Sequence, residues 1–139
     1  MPPTNSALAT TSVQYLVATD WQKARSFSPA VITEGGRIVW LSGQTTLTDL
    51  NGNDIRGRFE EQARTIFALI DRTLSQAGGS LANLVTMTVF INDPRNGDRF
   101  VEIRREFFKD GRCPGSALVT VSNFARNGCV IEIQGIAVV

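Results

Sequence analysis

Apolar residues along this chain follow two rhythms. Phe59, Ala63, Ile66, Phe67, Ile70 and Leu74 recur three and four residues apart, which predicts an amphipathic helix with one apolar face. Gly78-Gly79 ends that pattern, because glycine readily adopts the left-handed conformation in which helices close. Phe100, Ile103 and Phe107, with Phe108 beside them, predict a second helix. Elsewhere the pattern is that of strands. Residues 84–91 alternate with Thr86 and Thr88 and stop at Asn92-Asp93-Pro94, and residues 117–122 and 129–138 close the chain. Upstream, residues 12–18 are β-prone. Residues 30–33 and 37–41 flank Glu34-Gly35-Gly36, which predicts strands leading into a hairpin. Asn51-Gly52-Asn53-Asp54 reads as a loop, as does the stretch 111–115 that contains Cys113 and Pro114.

Strands, helix, strand, helix, strands is the order of an α+β fold, a mixed sheet with both helices on one face. Strand side chains alternate, so the last strand separates into two sets. Ile131, Ile133, Gly135, Ala137 and Val139 suit helix packing, whereas Val130, Glu132, Gln134, Ile136 and Val138 face the other way. With Thr86, Thr88 and Trp40 nearby, that second face is too apolar for free water and too polar for a dry core. It predicts a subunit interface that holds a small polar pocket.

At 139 residues the chain fits one domain spanning 1–139, with residues 1–11 loosely ordered. Fourteen basic residues against 13 acidic ones leave a net charge of +1, which does not call for nucleic acid. Apolar runs stay well below the ~20 residues of a membrane helix, and the polar N-terminus lacks the pattern of an export signal, so the expectation is a soluble cytoplasmic protein. Cys113 and Cys129 are expected as reduced, partly buried thiols. The absence of histidine removes the Ser-His-Asp and Cys-His arrangements and the commonest metal ligand. No Cys-x-x-Cys pair or glycine-rich phosphate loop is present, so neither a metal nor a cofactor is expected.

Glu132 is the singular residue, a carboxylate in a β-branched strand where an unpaired buried charge would cost several kcal/mol. It could orient a water for attack on a carbon–nitrogen double bond, or serve as a structural ion pair or an edge-exposed group. An anionic substrate would call for an arginine. Arg25 beside Phe27, Arg104 and Arg105 on the second helix, and Arg126 before the last strand are the candidates, with a solvated surface role as the alternative for each. Ser42-Gly43-Gln44 is an exit turn or a site of close backbone approach to a ligand.

Taken in order, several segments resemble the RidA/YjgF family, also called endoribonuclease L-PSP. They are Phe27-Ser28-Pro29-Ala30-Val31, Ser42-Gly43-Gln44, Phe59-Glu60-Glu61-Gln62-Ala63, Gln76-Ala77-Gly78-Gly79-Ser80, Thr88-Val89-Phe90-Ile91-Asn92-Asp93, Phe107-Phe108, Cys113-Pro114 and Val130-Ile131-Glu132-Ile133. The resemblance implies a chorismate-mutase-like fold assembled as a homotrimer, with metabolite pockets between subunits. It makes Glu132 the catalytic group that positions water, and it assigns substrate binding to Phe27, Ser42, Gly43 and the position of Ser116. In deaminating members an arginine at that last position clamps the substrate carboxylate, and a tyrosine stands where this chain has Phe27. Val101 and Arg104 replace an asparagine and a tyrosine common in the family. Arg25 or Arg104 could supply the missing charge from another direction.

Two functions follow as expectations. One is hydrolysis of a small enamine, imine or related metabolite in a subunit-interface pocket, including pathway-specific chemistry such as 2-aminomuconate deamination. The other is a noncatalytic trimer that senses a small metabolite. Ribonuclease action has little support, because near-neutral charge and missing histidine supply neither a phosphate-binding field nor the usual acid–base pair.

Overall fold

The longest helix, α2 (Phe59–Ser75), buries Phe59, Ala63, Ile66, Phe67, Ile70 and Leu74, the residues its spacing marks as apolar. The computed structural model describes residues 11–139; residues 1–10 lie outside it, and with them nearly all of the segment expected to be loosely ordered. Gly78 takes a φ of 82°, and the amide of Gly79 donates to the Leu74 carbonyl at 3.0 Å, closing α2 at the predicted glycines. The other elements are β1 (Ser12–Tyr15), α1 (Asp20–Ala24), β2 (Val31–Glu34), β3 (Ile38–Trp40), β4 (Leu84–Ile91), α3 (Gly97–Phe107), β5 (Gly115–Thr120) and β6 (Ile131–Val138).

Strands β3, β6, β4 and β5 lie side by side in that order. β6 runs antiparallel to both β3 and β4, while β5 runs parallel to β4, so the sheet is mixed. Ile131, Ile133 and Ala137 of β6 and Met87, Val89 and Ile91 of β4 point into the core with Phe67, Phe100 and Ile103 of the helices. Burial of each large apolar side chain contributes ~1.5–3 kcal/mol, which fixes the side of the sheet on which α2 and α3 sit. The opposite face carries Thr86, Thr88, Glu132 and Gln134 and leaves Ile38 and Trp40 exposed.

Three features differ from the reading of the sequence. First, the hairpin across Gly35-Gly36 does not form: β2 pairs with β1, and β3 pairs with β6. Both glycines are left-handed, at φ 72° and 75°, and carry the chain from one sheet to the other. A β-carbon on Gly36 would lie 2.8 Å from the Val139 carbonyl oxygen and 2.9 Å from Val138 Cγ1. That close approach also explains why Val138 is buried although its strand position faces the open side. Second, α1 occupies a stretch without apolar periodicity. It is started by a capping box in which the amide of Gln22 donates to Thr19 Oγ1 at 3.2 Å and the amide of Thr19 donates to Gln22 Oε1 at 2.9 Å. Third, Gln62 lies on the apolar face of α2 and is fully buried. Its Nε2 donates to the carbonyls of Ile55 at 2.9 Å and Gly128 at 2.8 Å, and its Oε1 accepts from the amide of Val130 at 3.0 Å. The side chain thereby ties α2 to the loop that precedes it and to the stretch that leads into β6.

On the outer surface of the helices Arg99 grips Glu60 with contacts of 2.6 and 3.1 Å, and Arg64 bridges to Glu106 at 2.9 Å. The Arg99 hydrogen bond holds the Glu60 carboxyl below its ordinary 4.5. A carboxylate depressed in the folded state stabilises above its unfolded pKa, and the benefit is lost as pH falls through the folded value. The melting temperature of Glu60→Gln should therefore fall slightly below that of the native protein at pH 7, and the two should converge as the pH drops below 4.5. Thermal melts at a series of pH values check this; a gap unchanged at low pH would refute it.

Candidate functional site

Glu132 projects from β6 on the open face, directly opposite Phe90 of β4. The chain after β3 is laced to the same strand. Leu41 donates its amide to the Gly135 carbonyl at 3.1 Å, while Gln44 and Ile133 exchange amide–carbonyl bonds of 2.8 and 3.1 Å. These bonds bring Gly43 down onto the carboxylate. A β-carbon there would lie 2.5 Å from Glu132 Oε1 and 2.9 Å from its Cδ. Gly43 has no left-handed φ, so the glycine serves space and not conformation. Ser42 is exposed beside it, and Glu132 is half-buried. Every ion pair among the described residues is made by other carboxylates, which leaves the oxygens of Glu132 available to a water or a ligand. Further along the same face Thr86, Thr88, Gln134, Trp40 and Ile136 line a hollow of about 350 Å³.

A second group of the candidate residues gathers elsewhere. Arg104 is only 2% exposed. Its Nη1 donates to Ser116 Oγ at 2.6 Å and its Nη2 to the Arg25 carbonyl at 2.7 Å. The guanidinium lies over the rings of Phe100, 5.1 Å away, and Phe27, 5.8 Å away. Its Nε is buried without an acceptor, and burial pulls the group down to about 10, so it stays protonated at neutral pH. The Arg25 side chain turns outward to Asp98 at 3.0 Å and covers the Trp21 ring. Thus Arg104, Ser116, Phe27 and the backbone of Arg25 come together.

The two groups occupy opposite sides of the sheet. Ser116 is paired with Met87, which faces the helices, whereas Glu132 and Val119 are paired with Phe90, three residues along. An odd separation along a strand reverses the side. One chain therefore does not present Arg104 and Glu132 to the same small ligand. Gln62, whose hydrogen bonds hold the stretch that leads into β6, has a role the sequence reading misses, although its position on the apolar stripe of α2 is a visible signal.

A four-stranded mixed sheet covered on one side by two helices, with its candidate carboxylate on the uncovered side, defines a small α+β class. The family model described as Endoribonuclease L-PSP matches residues 18–139, and the chain belongs to this family, the RidA/YjgF proteins. A RutC family protein of Aquifex aeolicus is 32% identical over 113 residues, covering 81% of this chain and 87% of its own. The 2-iminobutanoate/2-iminopropanoate deaminase of Rattus norvegicus is 29% identical over 113 residues, 81% of this chain and 80% of that one. Among solved structures, a Rid-family protein of Yersinia pestis superposes with a TM-score of 0.74 at 20% identity, over 93% of this chain and 98% of its own, a likeness of fold. A YjgF/YER057c/UK114 family member from Mycobacterium tuberculosis gives 0.64 at 25% identity, over 92% and 100%.

Proposed function

We propose that this protein hydrolyses a small enamine or imine, with Glu132 orienting the attacking water, in a pocket completed between the subunits of a homotrimer. The observation that carries the reading is the Glu132 carboxylate, without an ion pair among the described residues, pressed against Gly43 on the open face of the sheet. The family supports it, since the relatives include 2-iminobutanoate/2-iminopropanoate deaminases from rat and cattle at 29% and 28% identity. In the reaction, water adds to the carbon of the C=N bond while Glu132 takes a proton from it and passes that proton to nitrogen. The resulting carbinolamine expels ammonia and leaves the carbonyl compound. An enamine reaches the same path after protonation at carbon.

Assembly is part of this proposal. Trp40 at 73% exposure, with Ile38 and Val119, makes an apolar patch around the open face that a neighbouring subunit would cover. A neighbour's Phe27, Ser116 and the backbone of Arg25 would then supply the side of the pocket that a single chain holds away from Glu132. Arg104 keeps a positive charge beside Ser116, where the family resemblance expects an arginine, though it arises from α3 and not from β5. Being enclosed, it would favour a substrate carboxylate through its field and through the Ser116 hydroxyl. Sedimentation should give a particle of three times the 15.2 kDa chain.

Gly43→Ala tests the close approach. The new methyl must displace the Glu132 carboxylate, and a misplacement of ~1 Å typically costs about 100-fold in rate. Ammonia release should fall by that order while the thermal melt stays close to native; unchanged turnover would refute the role of the glycine. A second reading, a noncatalytic trimer that binds a metabolite, is favoured by the serine at position 116. Ligand binding without ammonia release from any freshly generated enamine or imine would select it.

A further inference from the structure

A second hollow lies away from Glu132. It measures about 820 Å³ and opens between the β1–α1 segment and the loop joining α3 to β5. That is the size of a metabolite pocket. Tyr15, Leu16, Val17 and Phe27 form apolar walls, Lys23 and Arg105 enter from α1 and α3, and Asp110 sits on the loop side.

The charge of this cleft is unbalanced. Ion pairs among the described residues engage Arg25, Arg56, Arg64, Arg95 and Arg99, whereas Lys23, Arg104 and Arg105 take part in none. The first ten residues contain no aspartate or glutamate that could neutralise them. Arg105 is oriented by neutral acceptors: its Nε donates to Ser26 Oγ at 3.1 Å and its Nη2 to the Ala24 carbonyl. Such bonds fix the guanidinium without cancelling its charge. Arg104 stands behind the Phe27 ring as a third cation. Against these, Asp110 is the acidic residue that lines the cleft, while Asp98 and Glu102 nearby are engaged by Arg25 and Arg99, and burial pushes the Cys113 thiol up, so it remains neutral. The chain as a whole carries only +1, so the excess at the cleft is local. Apolar walls with two reachable cations suit one negative charge on an apolar body better than a polyphosphate, which would need more donors.

We propose that this cleft is a second ligand site, which binds a small organic monoanion, a carboxylate on a short aromatic or branched body. The body lies against Tyr15, Val17 and Phe27, and the carboxylate lies between Lys23 and Arg105. The site does not use Glu132; it shares the Phe27 ring, with Arg104 behind it, with the pocket proposed for hydrolysis, so the residues that report on it alone are those of the β1–α1 segment and Arg105.

Titration of the isotopically labelled full chain with 3-phenylpropanoate, followed by NMR, tests it, with neutral 3-phenylpropanamide as the comparison. Saturable shifts are expected at the amides of Leu16, Val17 and Arg105, which the hydrolytic pocket does not use. The amide should bind at least about tenfold more weakly, as loss of a charge-assisted hydrogen bond requires. Lys23→Glu, on an exposed helix position, should weaken the acid by a similar factor with an unchanged thermal melt, and Arg105→Gln should do the same as a second variant. Equal affinity for acid and amide, shifts confined to Gly43 and Glu132, or full affinity in both variants would overturn the proposal.

Discussion

Replacing Glu132 by glutamine should lower ammonia release from an enamine or imine substrate by ~10²–10⁴-fold, the usual contribution of a positioned general base. Glutamine preserves the shape that packs beneath Gly43, where a β-carbon would already be 2.5 Å from Oε1, so the backbone lacing of Gln44 to Ile133 should survive. What disappears is the charge and the capacity to accept a proton from water. Because the native carboxylate makes no ion pair among the described residues, its removal leaves no cation stranded, and stability should change by less than about 0.5 kcal/mol. A coupled assay for ammonia on freshly generated substrates, with thermal melts of both proteins, checks the pair of expectations. Equal turnover in the two proteins would exclude Glu132 from the chemistry. Loss of turnover together with loss of folding would show that the carboxylate supports the strand.

Much of this arrangement is legible in the sequence, and the parts that are not share a cause. The spacing of Phe59 through Leu74 determines which face of α2 is buried, and the alternation in β6 separates Ile131 and Ile133 from Glu132 and Gln134, because both depend on local periodicity. Pairing partners do not. Glu34-Gly35-Gly36 has the composition of a hairpin turn, yet β3 is captured by β6, about a hundred residues later, through bonds such as Arg37 with Val139. The capping box at Thr19 and Gln22 is a legible start for α1, but no apolar stripe follows it to mark a helix. Arg104 shows a subtler limit. Its place four residues after Phe100 and beside Ile103 puts it on the buried stripe of α3, but only the folded chain shows that it meets Ser116 and the Arg25 carbonyl and not a carboxylate. Ser42-Gly43 marks a close approach, as its glycine suggests. The sequence points to a ligand as the partner, whereas the structure brings Gly43 against Glu132 itself.

Truncating Phe67 to alanine should be the most damaging single change to the fold, and its effect on function should differ in kind from that of Glu132→Gln. Phe67 is fully buried on α2 and meets three aromatic rings of the α3 region: Phe107 at 4.7 Å, Phe108 at 5.7 Å and Phe100 at 6.0 Å between centroids. Removing a buried phenylalanine costs ~3–5 kcal/mol through lost transfer energy and the cavity left behind. The tilted and edge-on contacts add to that cost. Against a total stability of roughly 5–15 kcal/mol this is a large share, and the melting temperature should fall by on the order of 10 °C or more. The loss also reaches Arg104, because α3 carries it between the rings of Phe100 and Phe27, so a loosened α3 no longer delivers its guanidinium to Ser116. Activity lost in Phe67→Ala should therefore return on cooling or on ligand binding, which repopulate the native state. Activity lost in Glu132→Gln should not return, because the native state is already populated and lacks the reacting group. Melts and ammonia release measured on both variants at two temperatures separate the two cases. A Phe67→Ala protein with a native melting temperature would show that the aromatic cluster does not hold α3 to α2.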